Sequence, residues 1–513
     1  MKTRLLAFAL ALTLLASMLL ACGGAKDTES TTTAATTTAA VGEATTTTVG
    51  EATTEATTTA DPNADELPAD LTFTGGTVRA VTRTEAAAAN EMKAETITGD
   101  IINDAVYQKN TLVSERLGIT LSVNHLEGQG SSAAIQLIEN AMLSGADEYE
   151  IVVSSSWKMC PATAKGLFLN LNGLQYLDLE KPYWSQEFND AVSMGDAQYL
   201  CTGPWSLGYY RNLYVQIFNK QMFDEYKVEY PYATVKEGKW TVEKQQGIVS
   251  TFYNDLNSNG AVDVADQLGF AICANTGSSQ PDSFWGSANL TTVKKTADNY
   301  FEFSIDTEKF VNAVDVLLGL MNADGVCGKF GKDAEIFQAF AEDRIAMTNL
   351  RLVSLEVAPI RGMSSEYGVL PVPKIEEAQE KYYAHAQDQL LVYGVPATVS
   401  EKNFDMVGAF LEAYASEGYK TVKPAYYELV LTAKSVSDQE SVDVLDIVTR
   451  SAFVDASTLY VDSFPLTVTT LREVMAGGTN TIASKIKGFQ NPMKKAVDKI
   501  NDSFKQVAAD HAA

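Results

Sequence analysis

The residues DLNSNGAVDVAD at 255–266 carry the sharpest chemical pattern in the chain. Their oxygen donors fall at the spacing of an EF-hand calcium loop. Asp255, Asn257 and Asn259 take its first, third and fifth positions, and Gly260 allows the sharp turn at the sixth. Ala261 offers a backbone carbonyl at the seventh, Asp263 an oxygen or a held water at the ninth, and Asp266 a carboxylate at the twelfth. Calcium gathers roughly six to eight such oxygens. The twelfth residue is Asp, shorter than the usual Glu, so two-oxygen closure of the site is weakened. One loop without a flanking helix pair predicts a structural Ca2+ staple, not a switch. The plain alternative is a polar turn rich in Asn, Gly and Asp.

Catalysis has less to draw on. There are three histidines, His125, His385 and His511, and no G-x-S-x-G elbow. His511 lies among the final residues, His125 ends a predicted strand, and His385 lies in YYAHAQD. With 65 acidic residues, carboxylate pairs are too common to mark a glycosidase site. GQGSSA at 128–133 loosely fits the dinucleotide pattern G-x-G-x-x-A, with Glu148 or Glu150 beyond it. A flexible loop before a helix explains that segment as well. No enzyme is called for. The formal charge of -26 argues against nucleic acid, which needs a basic surface. It suits a soluble exported protein and cation sites.

Aromatic residues are the other signal. Trp157 follows a predicted strand end, and Trp285 lies in PDSFWGS. Trp205 lies in GPWSLGYY, followed closely by Tyr209 and Tyr210. Aromatic faces in a cleft stack on the apolar faces of sugars, while polar neighbours bond the hydroxyls. The loop setting of Trp157, Trp205 and Trp285 makes them candidate platforms; Trp184 and Trp240 read as core.

Before any of these come Lys2, Arg4, an apolar run from Leu5 to Leu20, and Cys22. Positive start, short apolar core and small residue before the cut describe a secretory signal. The run is too short for a membrane span. Its LLAC ending at 19–22 resembles the lipobox of bacterial lipoproteins. That resemblance implies a lipid-carrying Cys22 and a place on the extracellular face of the cytoplasmic membrane. An ordinary signal peptide containing a cysteine is the alternative. Residues 30–60 are nearly all Thr, Ala, Gly, Val and Glu, with VGEATT at 41–46 and again at 49–54. They offer too little to bury to offset ordering entropy, so 23–72 reads as a disordered stalk. The remaining cysteines, Cys160, Cys201, Cys273 and Cys327, form no CxxC pair, which disfavours zinc. They are either buried thiols or one or two disulfides.

The elements that must position these residues begin near Phe73. Strands are predicted at 77–82, 119–126 and 149–155, with helices at 101–117 and 131–143. This alternation predicts a parallel, doubly wound sheet with ligand at the carboxyl ends of its strands. Ser154 to Trp157 then lie at a ligand edge. A second set has strands at 212–219, 367–373 and 390–398 and helices at 241–254, 310–324, 335–343 and 404–416. From Ser441 onward the chain reads as mostly helical. The fold class is therefore α/β, in two units with a helical C-terminal part.

EGKWTVEK at 237–244, DLNSNGAVDVADQLGF at 255–270, YGVLPVPKIEEAQEKYY at 367–383 and VKPAYYELVL at 422–431 resemble segments of clostridial extracellular solute-binding proteins. The sugar-binding members are the nearest in kind, and the resemblance runs from about Val78 to Val507. It implies a two-lobed, type II periplasmic-binding-protein-like fold. One lobe would hold 73–205 and 386–437, the other 206–385 and 438–513. Crossings would fall near Gly203–Arg211, Ala384–Gln389 and Ser435–Gln439. It places Trp157 and Arg351 in an interlobe cleft, and Tyr210 and Trp285 more loosely beside it. The implied role is a monomeric, non-enzymatic binding subunit that delivers an oligosaccharide or other small solute to an ABC permease. The alternative is a surface glycan-adhesion or sensor-partner protein using the same cleft.

Overall fold

The computed structural model describes residues 61, 63–85, 88–127, 130–432 and 439–512. The chain divides between Thr59 and Ala60, and these residues belong to the second unit. The signal segment, Cys22, residues 23–60 of the expected 23–72 stalk and most of the crossing at Ser435–Gln439 lie outside them; residues 63–72 are not stalk but pack on the folded unit, with Leu67 buried and Asp65 paired with Arg116.

In chain order the strands are β1 (Gly76–Arg83), β2 (Ile119–Leu126), β3 (Ile151–Ser155), β4 (Leu200–Cys201), β5 (Tyr214–Asn219), β6 (Leu268–Ala271) and β7 (Val293–Lys295). There follow β8 (Phe301–Phe303), β9 (Val326–Cys327), β10 (Ile345–Arg351), β11 (Tyr367–Leu370), β12 (Ala384–His385), β13 (Leu391–Gly394) and β14 (Ala452–Phe453).

The first lobe is built on a five-stranded sheet in the order β2-β1-β3-β13-β4. β1 runs parallel to both β2 and β3. The sequence IVVSS of β3 is buried throughout, as an apolar central strand covered on both faces must be. The sheet is mixed, not purely parallel, because β13 runs antiparallel to β3 and β4. It re-enters this sheet from the second lobe, so it arrives from the opposite end.

A second five-stranded sheet, β11-β5-β10-β6-β9, forms the other lobe. β5 is antiparallel to β10 and β11, while β6 is parallel to β10 and β9. The chain passes from one sheet to the other between β4 and β5 and returns between β12 and β13. It leaves again after the helix Phe404–Thr432, since the next helix, Gln439–Arg450, packs on β11.

Local chemistry fixes the helix ends. The Asp100 side chain accepts from the N–H groups of Ile102 and Asn103, capping the helix Ile101–Leu117. Gly118, at φ 64°, ends it in the left-handed region that favours glycine. The helix expected at 404–416 runs on to Thr432, with Pro424 inside it. Val422, Tyr426 and Val430 recur at helical spacing and are buried, and that packing outweighs the proline. The helical C-terminal part ends in Ile482–Ala512, which packs on the helix Thr307–Met321 and on β8. Its far end reaches the first lobe, where Phe504 meets Tyr199 at 5.9 Å between ring centroids. No described helix is long and apolar enough to cross a membrane.

Candidate functional site: a polar cleft between the lobes

β3 ends at Ser155 and the helix Ser156–Thr163 begins at once, so Trp157 lies in its first turn at the carboxyl end of the strand. The crossing segment 387–389 holds it there. Ser156 donates its N–H to the Leu390 carbonyl (2.8 Å) and its hydroxyl to the Asp388 carbonyl (2.9 Å), which also accepts from the Trp157 N–H (3.2 Å). Facing Trp157 from the second lobe are Asn275 and Ser278 beyond β6, Lys332 and Asp333 beyond β9, and Arg472. Together they enclose about 480 Å3. The Ser278 hydroxyl donates to Asp333 at 2.7 Å, which fixes one wall.

A polar framework lies beneath. Buried Arg83 donates to the hydroxyls of Ser131 and Ser155 and to Gln389 Oε1. Arg351 donates through Nη1 to Asn212 Oδ1 (2.9 Å) and Gln387 Oε1 (3.1 Å). Arg472 makes a two-pronged ion pair with Asp282. Burial lifts the Asp282 carboxyl to about 6 against the pull of Arg472, so the pair is ionised at neutral pH. Burial also raises Asp388 above the usual carboxylate range, with Arg472 and Arg351 opposing. Fixed donors, acceptors and an aromatic edge of this kind suit a neutral, hydroxyl-rich molecule.

The structure brings only part of the expected set to this cleft. Trp157 lines it, and Arg351 sits behind it on the Gln387 side chain. Trp205, Tyr210 and Trp285 do not reach it. Trp205 is fully buried in the first lobe among Trp184 (5.6 Å), Tyr393 (4.7 Å) and Tyr414 (5.8 Å). Tyr210 stacks on Tyr426 at 5.5 Å and donates its hydroxyl to the Pro204 carbonyl. Trp285 lies edge-on to Phe310 and donates Nε1 to Asp455 (3.1 Å). The reason is shared: these segments are not open loops. Tyr210 and Trp285 belong to the short helices Leu207–Arg211 and Asp282–Ser287, which are buried along their whole length. Trp184 and Trp240 are core, as expected. Arg472, Asp388, Gln387 and Gln389 went unrecognised in the sequence. The polar QDQ at 387–389, set in an apolar run at a crossing, was a readable sign; Arg472 had none.

The loop 255–266 folds on its own oxygens. Gly260, at φ 75°, donates its N–H to Asp255 Oδ2 (2.8 Å), and Ala261 donates to Asn259 Oδ1 (2.8 Å). Asp263 accepts from the Ala265 N–H and from the Asn257 and Asn259 amides, which holds its carboxyl below the usual range. Asp266 accepts from the N–H groups of Leu256 and Asp263. The turn and the hard oxygen donors fit calcium. Among the described residues, no three His, Cys, Asp or Glu side chains are gathered as a metal cluster.

His385 is buried with neither ring nitrogen bonded, and burial drives its pKa down to about 3, so it packs as a neutral ring near Tyr214. Cys160, Cys201, Cys273 and Cys327 are buried free thiols, not disulfides. Burial raises the pKa of each, which keeps them unreactive.

Two α/β lobes, crossed by the chain more than once and separated by a polar cleft at their strand ends, define the fold of type II solute-binding proteins. Solved structures of the same fold include a sugar transporter from Rhizobium etli in an open conformation, at 13% identity and TM-score 0.53, covering 84% of this chain and 99% of that one. An ABC substrate-binding protein from Listeria monocytogenes, in complex with cycloalternan, matches at 14% identity and TM-score 0.51, covering 84% and 99%. The apo form of RafE from Streptococcus pneumoniae matches at 14% and 0.51, covering 82% and 99%. No family model matches the chain, and no curated protein matches it in sequence.

Proposed function

We propose that this chain is the solute-capturing subunit of an ABC importer and that it takes an oligosaccharide into the cleft beside Trp157. The observation that carries the reading is the cleft itself. It sits at the carboxyl end of β3, spans both lobes, and sets an aromatic side chain against Arg472, Asp388 and Gln387. A similar fold, solved in complex with cycloalternan, supports a glycan as the solute. Solute bridging both lobes would favour a closed state, which a membrane permease would then recognise. The chain captures and performs no chemistry. In this reading Cys22 carries lipid on the extracellular face of the membrane and the Thr-rich stalk gives the cleft reach. One Ca2+ would staple the loop 255–266.

The test is calorimetry with a panel of oligosaccharides that includes maltotetraose and cycloalternan, run beside peptides and amino acids. Saturable one-to-one binding of a glycan supports the reading; binding confined to the peptides or amino acids sinks the sugar assignment. Cys22→Ala should abolish uptake by cells while leaving binding in solution intact. Uptake that survives would separate the anchor from transport.

A further inference from the structure

We propose that Lys158 and Asp462 are a positioning pair that fixes the Trp157 ring at the cleft edge. The inference rests on the cleft being the binding site. Lys158 follows Trp157 in the helix Ser156–Thr163, and its Nζ lies 3.7 Å from the Trp157 ring centroid. A cation over an indole face is attracted by the ring quadrupole. Left alone, a lysine on a rim extends toward water and keeps its rotamer freedom. Here the ammonium is pinned from the other side by Asp462 Oδ2 at 2.7 Å.

Asp462 follows the helix Ala456–Leu459, which packs on the helix Ser156–Thr163 that carries Lys158. Its segment packs on β8 through Tyr460 and Phe464, whose rings lie 5.4 and 6.0 Å from that of Phe301. Thr292 donates its hydroxyl to the Leu466 carbonyl in the same segment. The ion pair therefore joins positions 304 apart in the chain, beside the contact between the helices Ala456–Leu459 and Ser156–Thr163. Lys158 does not line the cleft, whereas Trp157 does. The ammonium thus holds the ring without competing for cleft space. The Trp157 Nε1 is buried and unbonded among the described residues. Both charged groups are partly exposed, at 27% and 52%, so salt should weaken the clamp.

The experiment uses the protein labelled with 5-fluorotryptophan, the Trp157 resonance being assigned by its loss in Trp157→Phe. Lys158→Met and Asp462→Asn should each shift and broaden that resonance and leave the other tryptophans in place. High salt should do the same to the wild type, and Lys158→Arg should restore the sharp line. An unchanged Trp157 resonance in both variants overturns the proposal, whatever the ligand. With the glycan found by calorimetry, Lys158→Met should weaken binding about two- to fivefold. It should add nothing in a Trp157→Ala background, because the two changes act through one ring. If Trp157→Ala weakens binding and Lys158→Met does not, the positioning role fails alone. If Trp157→Ala itself has no effect, the binding-site reading fails instead.

Discussion

Arg472 and Asp282 close on each other at the floor of the cleft, with Nε donating to Oδ1 at 2.6 Å and Nη2 to Oδ2. Asp282 is fully buried and Arg472 mostly so. Removing one partner strands a charge away from water. Arg472→Met should therefore cost about 3–5 kcal/mol of stability, read as a lower urea midpoint at unchanged slope. The double variant Arg472→Met with Asp282→Leu should recover much of that loss. A single variant as stable as the wild type would show that the pair is open to solvent.

Among the described residues, Trp157 is the one aromatic side chain on the cleft wall. Trp157→Ala should weaken glycan binding by about 1–3 kcal/mol, seen by calorimetry, with little change in melting temperature. By contrast, Trp205→Ala should destabilise the first lobe by about 3–5 kcal/mol, since it empties a fully buried site. Equal effects of the two variants on affinity would contradict their placement.

Glu412 should make stability depend on pH. Its carboxylate accepts from the Tyr183 hydroxyl, the Asp178 N–H (3.2 Å) and Trp184 Nε1 (3.3 Å). Burial still lifts its pKa to about 7, from 4.5 in the free residue. The folded state thus holds this proton more tightly than the unfolded chain does. Stability should fall as pH rises through that window and stay lower above about 7. Glu412→Gln should flatten the curve of melting temperature against pH. Parallel curves for variant and wild type would rule the group out.

Calcium in the loop 255–266 would bind the folded state alone and raise its stability with concentration. Chelation should lower the melting temperature, and Asp255→Ala should remove the response. A wild type indifferent to both calcium and chelator would leave the loop as a polar turn held by Asp255, Asn259 and Asp263.

What the sequence determined by itself is mostly local. The Asp100 cap, the Gly118 stop, the buried run of β3 and the polar turn at Gly260 are all set within a few residues, so periodicity and turn chemistry reveal them. The α/β class follows from their alternation, and Trp157 was placed from the end of one strand. Which aromatics face a cleft is a different matter. Trp205 and Trp285 stand in segments as polar as that of Trp157, yet both are sealed by neighbours distant in the chain, Tyr393 and Tyr414 for one and Phe310 and Asp455 for the other. Arg472 meets Asp282 across 190 positions, and Lys158 meets Asp462 across 304. No spacing rule reaches that far. Only the return of β13 into the first sheet, and of the C-terminal segment onto the first lobe, decides which side chains share the cleft.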